Sequence, residues 1–190
     1  MPAHADKPIL RFETPEAWEK WLEESSESPG VRLELRKKGS AAPGISHAEA
    51  LQVALCFGWI DGQAQSVDVD FFIVAFQPRR PQSPWSQINQ DHVARLIDEG
   101  KMRPAGFAEI ERAKADGRWD AAYRQKNAPV PDDLRAALDA NPAASEKFDT
   151  LGAQNRFAIL FRIQSVKRAE TRERKIAQYV AMLERGETIY

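Results

Sequence analysis

The stretch from Ser46 to Phe76 constrains the fold of this chain more than any other part of its sequence. Ser46 and Glu49 form an S-x-x-E capping box, which opens a helix that is apolar over most of its circumference. Gly58 is expected to end that helix in the left-handed conformation that glycine adopts most cheaply. Two strand-like segments follow, WIDGQAQSV and DFFIVAFQP. Because FFIVAF at 71–76 is almost entirely apolar, the second strand is predicted to lie inside a sheet.

The segments on either side of this stretch also predict strands and helices. VRLELRKKG at 31–39 carries apolar residues at every second position, which predicts a strand with one buried face. ILRF at 9–12 is short and is expected to form an edge strand, and the Thr-Pro pair that follows it is suited to begin a helix. Asn89 is expected to cap a further helix, and Pro104 is expected to begin the next one.

Beyond residue 131 the sequence predicts helices only. We therefore expect an α+β fold, in which a small, mostly antiparallel sheet packed with helices is followed by a helical C-terminal subdomain. Residues 1–125 would form the N-terminal α+β domain and residues 132–190 the helical subdomain. KNAPVP at 126–131 is the candidate linker, and the alternative is that both parts form one compact unit.

The composition of the chain indicates a globular protein and excludes several functional classes. Its 190 residues are 43% hydrophobic and 29% charged, and the net charge of −1 argues against a protein that coats nucleic acid. Cys56 is the single cysteine, so no intrachain disulfide can form. The chain shows no signal peptide at its start and no run of about 18 apolar residues, so we expect a cytoplasmic protein without a membrane span. Its oligomeric state cannot be derived from the sequence.

No cofactor or metal is expected. The sequence contains no CxxC or HExxH pattern and no calcium-binding loop of the EF-hand type. It also contains neither G-x-G-x-x-G nor the GK[ST] ending of a phosphate-binding loop.

LCFGWIDG at 55–62 is the first candidate for chemistry. Cys56 could act as a nucleophile or redox thiol beside Asp61, but it has no histidine at a fixed spacing to act as its base. A free cysteine inside an apolar helix is more often a small buried hydrophobe. Asp61, which precedes a glycine, could face a ligand, or it could lie in a β-bulge where backbone N–H groups satisfy its carboxylate. The three histidines are His4, His47 and His92.

The extended loop PRRPQSPWSQIN at 78–89 holds the strongest candidates for a binding site. Arg79 and Arg80 could bind a phosphate or carboxylate, and Ser83 adds a hydroxyl donor. Trp85 could stack on a ring or a cation. The alternative is a structural loop that Trp85 attaches to the body of the protein, with the two arginines paired to the acidic first helix. We expect a groove lined by these residues together with two from WIDGQAQSV, the first of the two predicted strands: Trp59, Asp61, Arg79, Arg80, Ser83 and Trp85.

A basic segment near the C-terminus is the third candidate. Lys167, Arg168, Arg172 and Lys175 could follow a phosphate backbone. The segment lacks the interleaved aromatic residues of a platform for single strands, so nucleic-acid binding is held only as an alternative.

Four blocks of sequence follow one another along the chain: ALCFGWIDGQ (54–63), PRRPQSPWSQIN (78–89), residues 93–123 and residues 161–186. In this order they resemble the bacterial YdeI/OmpD-associated family, which is labelled bacteriocin-protection. The resemblance covers nearly the whole chain and implies a role in protection against bacteriocins or antimicrobial peptides, but no catalytic mechanism. Through Arg156, Lys167, Arg168, Thr171, Arg172 and Lys175, the C-terminal segment also resembles the small domain of unknown function in YdhG-like proteins.

These observations predict an uncharacterised cytoplasmic protein of the bacteriocin-protection or antimicrobial-stress type. We expect it to bind an anionic small molecule or a protein partner without catalysis. The alternatives are an enzyme that uses Asp61 or Cys56, and nucleic-acid binding through the basic C-terminal helices.

Overall fold

The computed structural model describes residues 6–123, 128–166 and 168–190 of the chain. Within it the chain forms two compact units, the first ending at Ala122 and the second spanning Tyr123–Tyr190. Three sequence-based predictions fall wholly or partly outside the described residues: His4, Lys167 and the first two positions of the 126–131 linker. The division into residues 1–125 and 132–190 remains a prediction.

The described part of the first unit contains a four-stranded sheet in the order β1-β2-β4-β3. β4 pairs antiparallel with both of its neighbours, whereas the edge strand β1 runs parallel to β2. The predicted interior position of FFIVAF and the predicted edge strand at ILRF are therefore confirmed. The strands are β1 (Ile9–Leu10), β2 (Val31–Arg36), β3 (Trp59–Ser66) and β4 (Phe71–Pro78).

Four helices of the described first unit pack around this sheet, and local sequence signals set most of their ends. Ser46 and Glu49 form the predicted capping box at the start of α2. Gly58 follows the end of α2 with φ of +74°, as predicted for a glycine that ends a helix. The helices are α1 (Pro15–Glu24), α2 (His47–Cys56), α3 (Gln87–Asp98) and α4 (Pro104–Ala115).

The predicted start of α3 is wrong by three residues. Ser86, not Asn89, is the N-cap, and its hydroxyl accepts a hydrogen bond from the backbone N–H of Asn89. Serine and asparagine are about equally good N-caps, so sequence alone does not choose between them. Trp85 favours the start at Ser86, because it packs on Trp119 with ring centroids 4.8 Å apart and anchors the chain next to Ser86.

One core of the first unit lies on a face of the sheet. Leu33 and Leu35 on β2 are fully buried, as the alternation of that strand predicts. Trp18 of α1 is also fully buried there, and its indole N–H donates a hydrogen bond to the carbonyl oxygen of Ala50 on α2. A buried tryptophan thus joins α1 to α2 and satisfies its polar atom.

Gly106 lets α4 approach the C-terminal end of α2 closely. A Cβ atom at position 106 would lie 2.2 Å from the carbonyl oxygen of Cys56, so only glycine fits there. A second contact between the two segments is also tight, since a Cβ on Gly58 would lie 3.0 Å from the carbonyl oxygen of Ala105. This packing sets one face of α4 beside the start of β3.

The second unit is helical and has its own core. Its described helices are α5 (Asp132–Asp139), α6 (Pro142–Asp149), α7 (Ala153–Gln164) and α8 (Ala169–Glu184). Asn141 caps α6, as its position before a proline predicts. The α+β fold, with a mostly antiparallel sheet followed by helices, is therefore confirmed.

Candidate ligand-binding site

The end of β4 is the place where the candidate site forms. Pro78, the last residue of β4, lies opposite Trp59, the first residue of β3. The next residue continues this pairing, because the backbone N–H of Arg79 donates to the carbonyl oxygen of Gly58 at 3.0 Å. Two cavities adjoin here, and Pro78 and Arg79 line both of them.

The first of the two, which we call the apolar cavity, has a volume of about 390 Å³. Most of its lining is hydrophobic and comes from the start of β3, the end of β4 and one face each of α1 and α4. Its polar groups are Ser26, Arg79, Glu109 and Arg112. Its other lining residues are Leu22, Phe57, Gly58, Trp59, Pro78, Ala105 and Ala108.

The second, which we call the basic cavity, has a volume of about 440 Å³. It brings three basic side chains together with one acidic side chain. Its lining residues are Asp6, Lys7, Pro29, Gln77, Pro78, Arg79 and Arg80.

Lys7 and Arg80 carry positive charge into the basic cavity, where Asp6 is the acidic residue of the lining. Within the described residues neither side chain forms an ion pair, and the Lys7 ammonium donates only to the carbonyl oxygen of Pro29, at 2.8 Å. Burial lowers the pKa of Lys7, and the nearby charge of Arg80 lowers it further, although Asp6 acts in the opposite direction. The cavity therefore has an excess of positive charge.

Arg79 is held differently from Arg80, although the two are neighbours in sequence. Arg79 is only 5% exposed, and its guanidinium lies over the ring of Trp85 at 3.7 Å and donates to the carbonyl oxygen of Pro84. Trp85 is itself 2% exposed and belongs to the core. The two predicted guanidiniums therefore lie in different surroundings: Arg79 is buried and helps to fix the loop, whereas Arg80 is exposed.

The loop is also attached to α4 through a buried carboxylate. Glu109 is 6% exposed and accepts hydrogen bonds from Arg112 and Arg118. Each of these arginines then donates to a loop carbonyl, Arg112 to that of Arg79 and Arg118 to that of Ser83. The Ser83 hydroxyl accepts the backbone N–H of Arg80 at 3.0 Å, so it supports the loop locally.

Sequence reasoning did not identify Lys7, Glu109, Arg112 or Arg118. The i, i+3 spacing of Glu109 and Arg112 could have suggested a pair, but not one that is buried against a distant loop. Lys7 had no signal, because it belongs to a short segment near the start of the chain and meets Arg80 only through the fold.

Asp61 lines neither cavity. It lies in β3 at a register shift between Asp61 and Ala64, the region for which a β-bulge was the alternative to a ligand-facing carboxylate. Its carboxylate lies 2.9 Å from Nε2 of His47, a partner on α2 that sequence spacing did not suggest.

Cys56 also lies outside both cavities. It is 4% exposed, and burial raises the pKa of its thiol to about 11. At neutral pH the thiol is protonated, and a protonated thiol is a weak nucleophile. A third cavity, of about 370 Å³ and with both charged and apolar residues in its lining, reaches Cys56.

The basic residues of the second unit are partly engaged in its own structure. Arg172 forms a two-pronged pair with Asp133, with 2.5 Å and 2.9 Å hydrogen bonds, and also donates to the carbonyl oxygen of Ile163. Arg168 is exposed at the start of α8, and Lys175 is half-buried within the same helix.

The part of the chain that the structure describes contains neither a metal-ligand cluster nor a membrane-spanning helix. No group of three or more His, Cys, Asp or Glu residues there could hold a metal ion. Nor does that part contain a helix with the length and apolar character needed to cross a bilayer.

The chain is similar to two protein families, one over each unit. Residues 10–109, which include every residue of the apolar cavity except Arg112, match a family model described as a domain of unknown function, DUF8412. Residues 127–186 match the model described as "Bacteriocin-protection, YdeI or OmpD-Associated". The expected resemblance to that second family is therefore confirmed for the second unit and does not extend over nearly the whole chain. No curated protein and no solved structure matches the chain.

Proposed function

The chain belongs to the family of the domain of unknown function DUF8412, and we propose that its first unit binds a small anionic ligand in the basic cavity without catalysing a reaction. The similarity of the second unit to the bacteriocin-protection family leads us to place this binding in resistance to bacteriocins or related antimicrobial stress. We place it in the cytoplasm, a setting supported by the lone cysteine, since no disulfide framework requires an oxidising compartment.

The observation that carries the proposal is the excess positive charge formed by Lys7 and Arg80. Like charges that are close together repel each other, and the partial burial of Lys7 adds a desolvation cost. A folded protein retains such an arrangement at a cost in stability unless an anion offsets it. An oxyanion such as a phosphate or carboxylate would supply the missing charge and would accept hydrogen bonds from both side chains.

The positions of the two candidate catalytic side chains support binding rather than catalysis. Cys56 and Asp61 both lie outside the two cavities, and Asp61 is paired with His47. The loop that carries Arg80 is fixed by Arg79, Trp85 and the Glu109 pair, so it presents a rigid surface of the kind that binding sites require.

The test is a thermal-shift titration with inorganic phosphate at constant ionic strength. We expect the melting temperature to rise with phosphate concentration, since a ligand at 100 times its Kd stabilises by roughly 2.7 kcal/mol. Arg80→Gln should abolish most of this rise without preventing folding, because Arg80 is exposed.

Arg95→Gln is the matched control. Arg95 is an exposed arginine on α3 outside both cavities, so the variant has the same change in net charge. Wild-type behaviour of Arg95→Gln would assign the effect to the site. Equal losses in both variants, or no phosphate effect on the wild type, would refute the proposal.

A further inference from the structure

The apolar cavity raises a question that anion binding alone does not answer. It adjoins the basic cavity through Pro78 and Arg79, so a ligand held by Lys7 and Arg80 lies next to an unfilled hydrophobic space. An anion without an apolar part would leave that space unused.

The walls of the apolar cavity are rigid on one side and open on the other. Leu22 and Trp59 belong to the core and are 2% and 4% exposed. Ala105 and Ala108, one turn apart on α4, form the opposite wall and are exposed. Because both side chains are single methyl groups, this wall projects little into the cavity, and the space between α4 and Trp59 stays open.

The polar groups that line the apolar cavity are already engaged with one another. Both carboxylate oxygens of Glu109 accept hydrogen bonds, one from Arg112 and one from Arg118. Arg112 also donates to the carbonyl oxygen of Arg79, whose own guanidinium lies on Trp85. The cavity therefore fits an apolar group better than a second polar one.

We propose that the ligand is a small molecule in which an oxyanion is joined to a compact apolar group, such as a single ring. The oxyanion lies between Lys7 and Arg80, and the apolar group enters the apolar cavity past Pro78 to contact Trp59. The volume of about 390 Å³ is near the lower end of ligand pockets, which matches a ring rather than a long chain. This inference rests on the proposed function, because it assigns a second part to the same ligand.

The experiment compares inorganic phosphate with phenyl phosphate by isothermal titration calorimetry on the full chain. We expect phenyl phosphate to bind at least about tenfold more tightly, since burying one ring removes substantial apolar surface from water. Ala108→Leu fills the apolar cavity from an exposed helical position, where leucine is well tolerated. It should remove the advantage of phenyl phosphate and leave the affinity for inorganic phosphate unchanged.

Arg80→Gln separates this inference from the proposed function. It should weaken both ligands, whereas Ala108→Leu should weaken only phenyl phosphate, and Ala105→Leu should repeat that selective effect. Equal affinities for the two phosphates, or an unchanged preference in both leucine variants, would overturn the inference and leave anion binding standing. Absence of binding by either phosphate would overturn both.

Discussion

At the scale of single residues, the candidate site depends on two charges that are far apart in sequence. Lys7 and Arg80 line one cavity, and burial, together with the nearby charge of Arg80, lowers the pKa of Lys7. Arg79 has the same side chain as Arg80, but it is buried on Trp85 and its guanidinium shapes the loop. Identical side chains at adjacent positions thus have different functions.

The lowered pKa of Lys7 predicts that phosphate binding weakens at alkaline pH. Folding disfavours the ammonium form, so Lys7 loses its proton at a pH below its ordinary value of 10.5. A bound anion favours the ammonium, and affinity should therefore fall as pH rises through the lowered pKa. Titration calorimetry from about pH 8 to about pH 10 measures this fall, a range in which arginine keeps its charge.

Lys7→Arg is the control, because arginine does not titrate in that range. Its affinity for phosphate should have a flatter dependence on pH than that of the wild type. Parallel pH profiles for the two proteins would contradict the assignment of Lys7 to the site.

At the scale of secondary-structure elements, α4 positions the loop that follows β4. Gly106 allows α4 to pack against the end of α2, and Glu109 then joins two arginines that donate to the carbonyl oxygens of Arg79 and Ser83. The loop has no regular structure of its own between β4 and α3. Its shape is therefore set by contacts with α4 and by the burial of Trp85.

We predict that Glu109→Gln destabilises the first unit by about 3 kcal/mol, because it removes the charge that offsets two partly buried arginines. Urea unfolding followed by tryptophan fluorescence measures this loss. Limited proteolysis should also cut the loop faster in the variant, as its attachment to α4 is weakened.

Glu111→Gln provides the comparison on the same helix. Glu111 pairs with Lys114 at the surface, where both side chains are at least half exposed, so its loss should cost less than about 1 kcal/mol. Similar costs for the two substitutions would show that the buried position of Glu109 has no special importance.

At the scale of the whole molecule, the chain has separate cores in its two units. In the first unit one core lies on the sheet around Trp18 and another lies between α2, α3 and α4. Among the described residues, the core of the second unit draws only on positions beyond 127. Both cavities of the candidate site belong to the first unit.

We predict that a fragment of residues 6–122 folds alone and retains phosphate binding. Its core residues and all lining residues of both cavities fall within that range. Circular dichroism should show a cooperative thermal transition, and calorimetry should give the affinity of the full chain within about twofold. The fragment 123–190, which begins where the second unit begins, should fold and show no phosphate binding when tested in the same way.

A fragment 6–122 that folds but loses phosphate binding would show that the second unit contributes to the site. A fragment that does not unfold cooperatively would contradict the independence of its core.

Most helices and strands of this protein, and their order along the chain, could be predicted from the sequence. The capping box at Ser46, the end of α2 at Gly58 and the alternation in β2 depend on residues a few positions apart, and the apolar FFIVAF segment predicted the interior strand correctly. Such signals are local, so no knowledge of the fold is needed to interpret them. The predicted start of α3 was wrong because two equally good N-cap residues lie three positions apart.

Which of the candidate residues lie together depends on the tertiary structure and could not be predicted from the sequence. It brought Lys7 to Arg80 and His47 to Asp61, and it buried Arg79 on Trp85. These pairs join elements that are distant in sequence, or depend on the direction in which a side chain leaves an irregular loop. Neither property has a sequence period, because both follow from how strands and helices pack against each other.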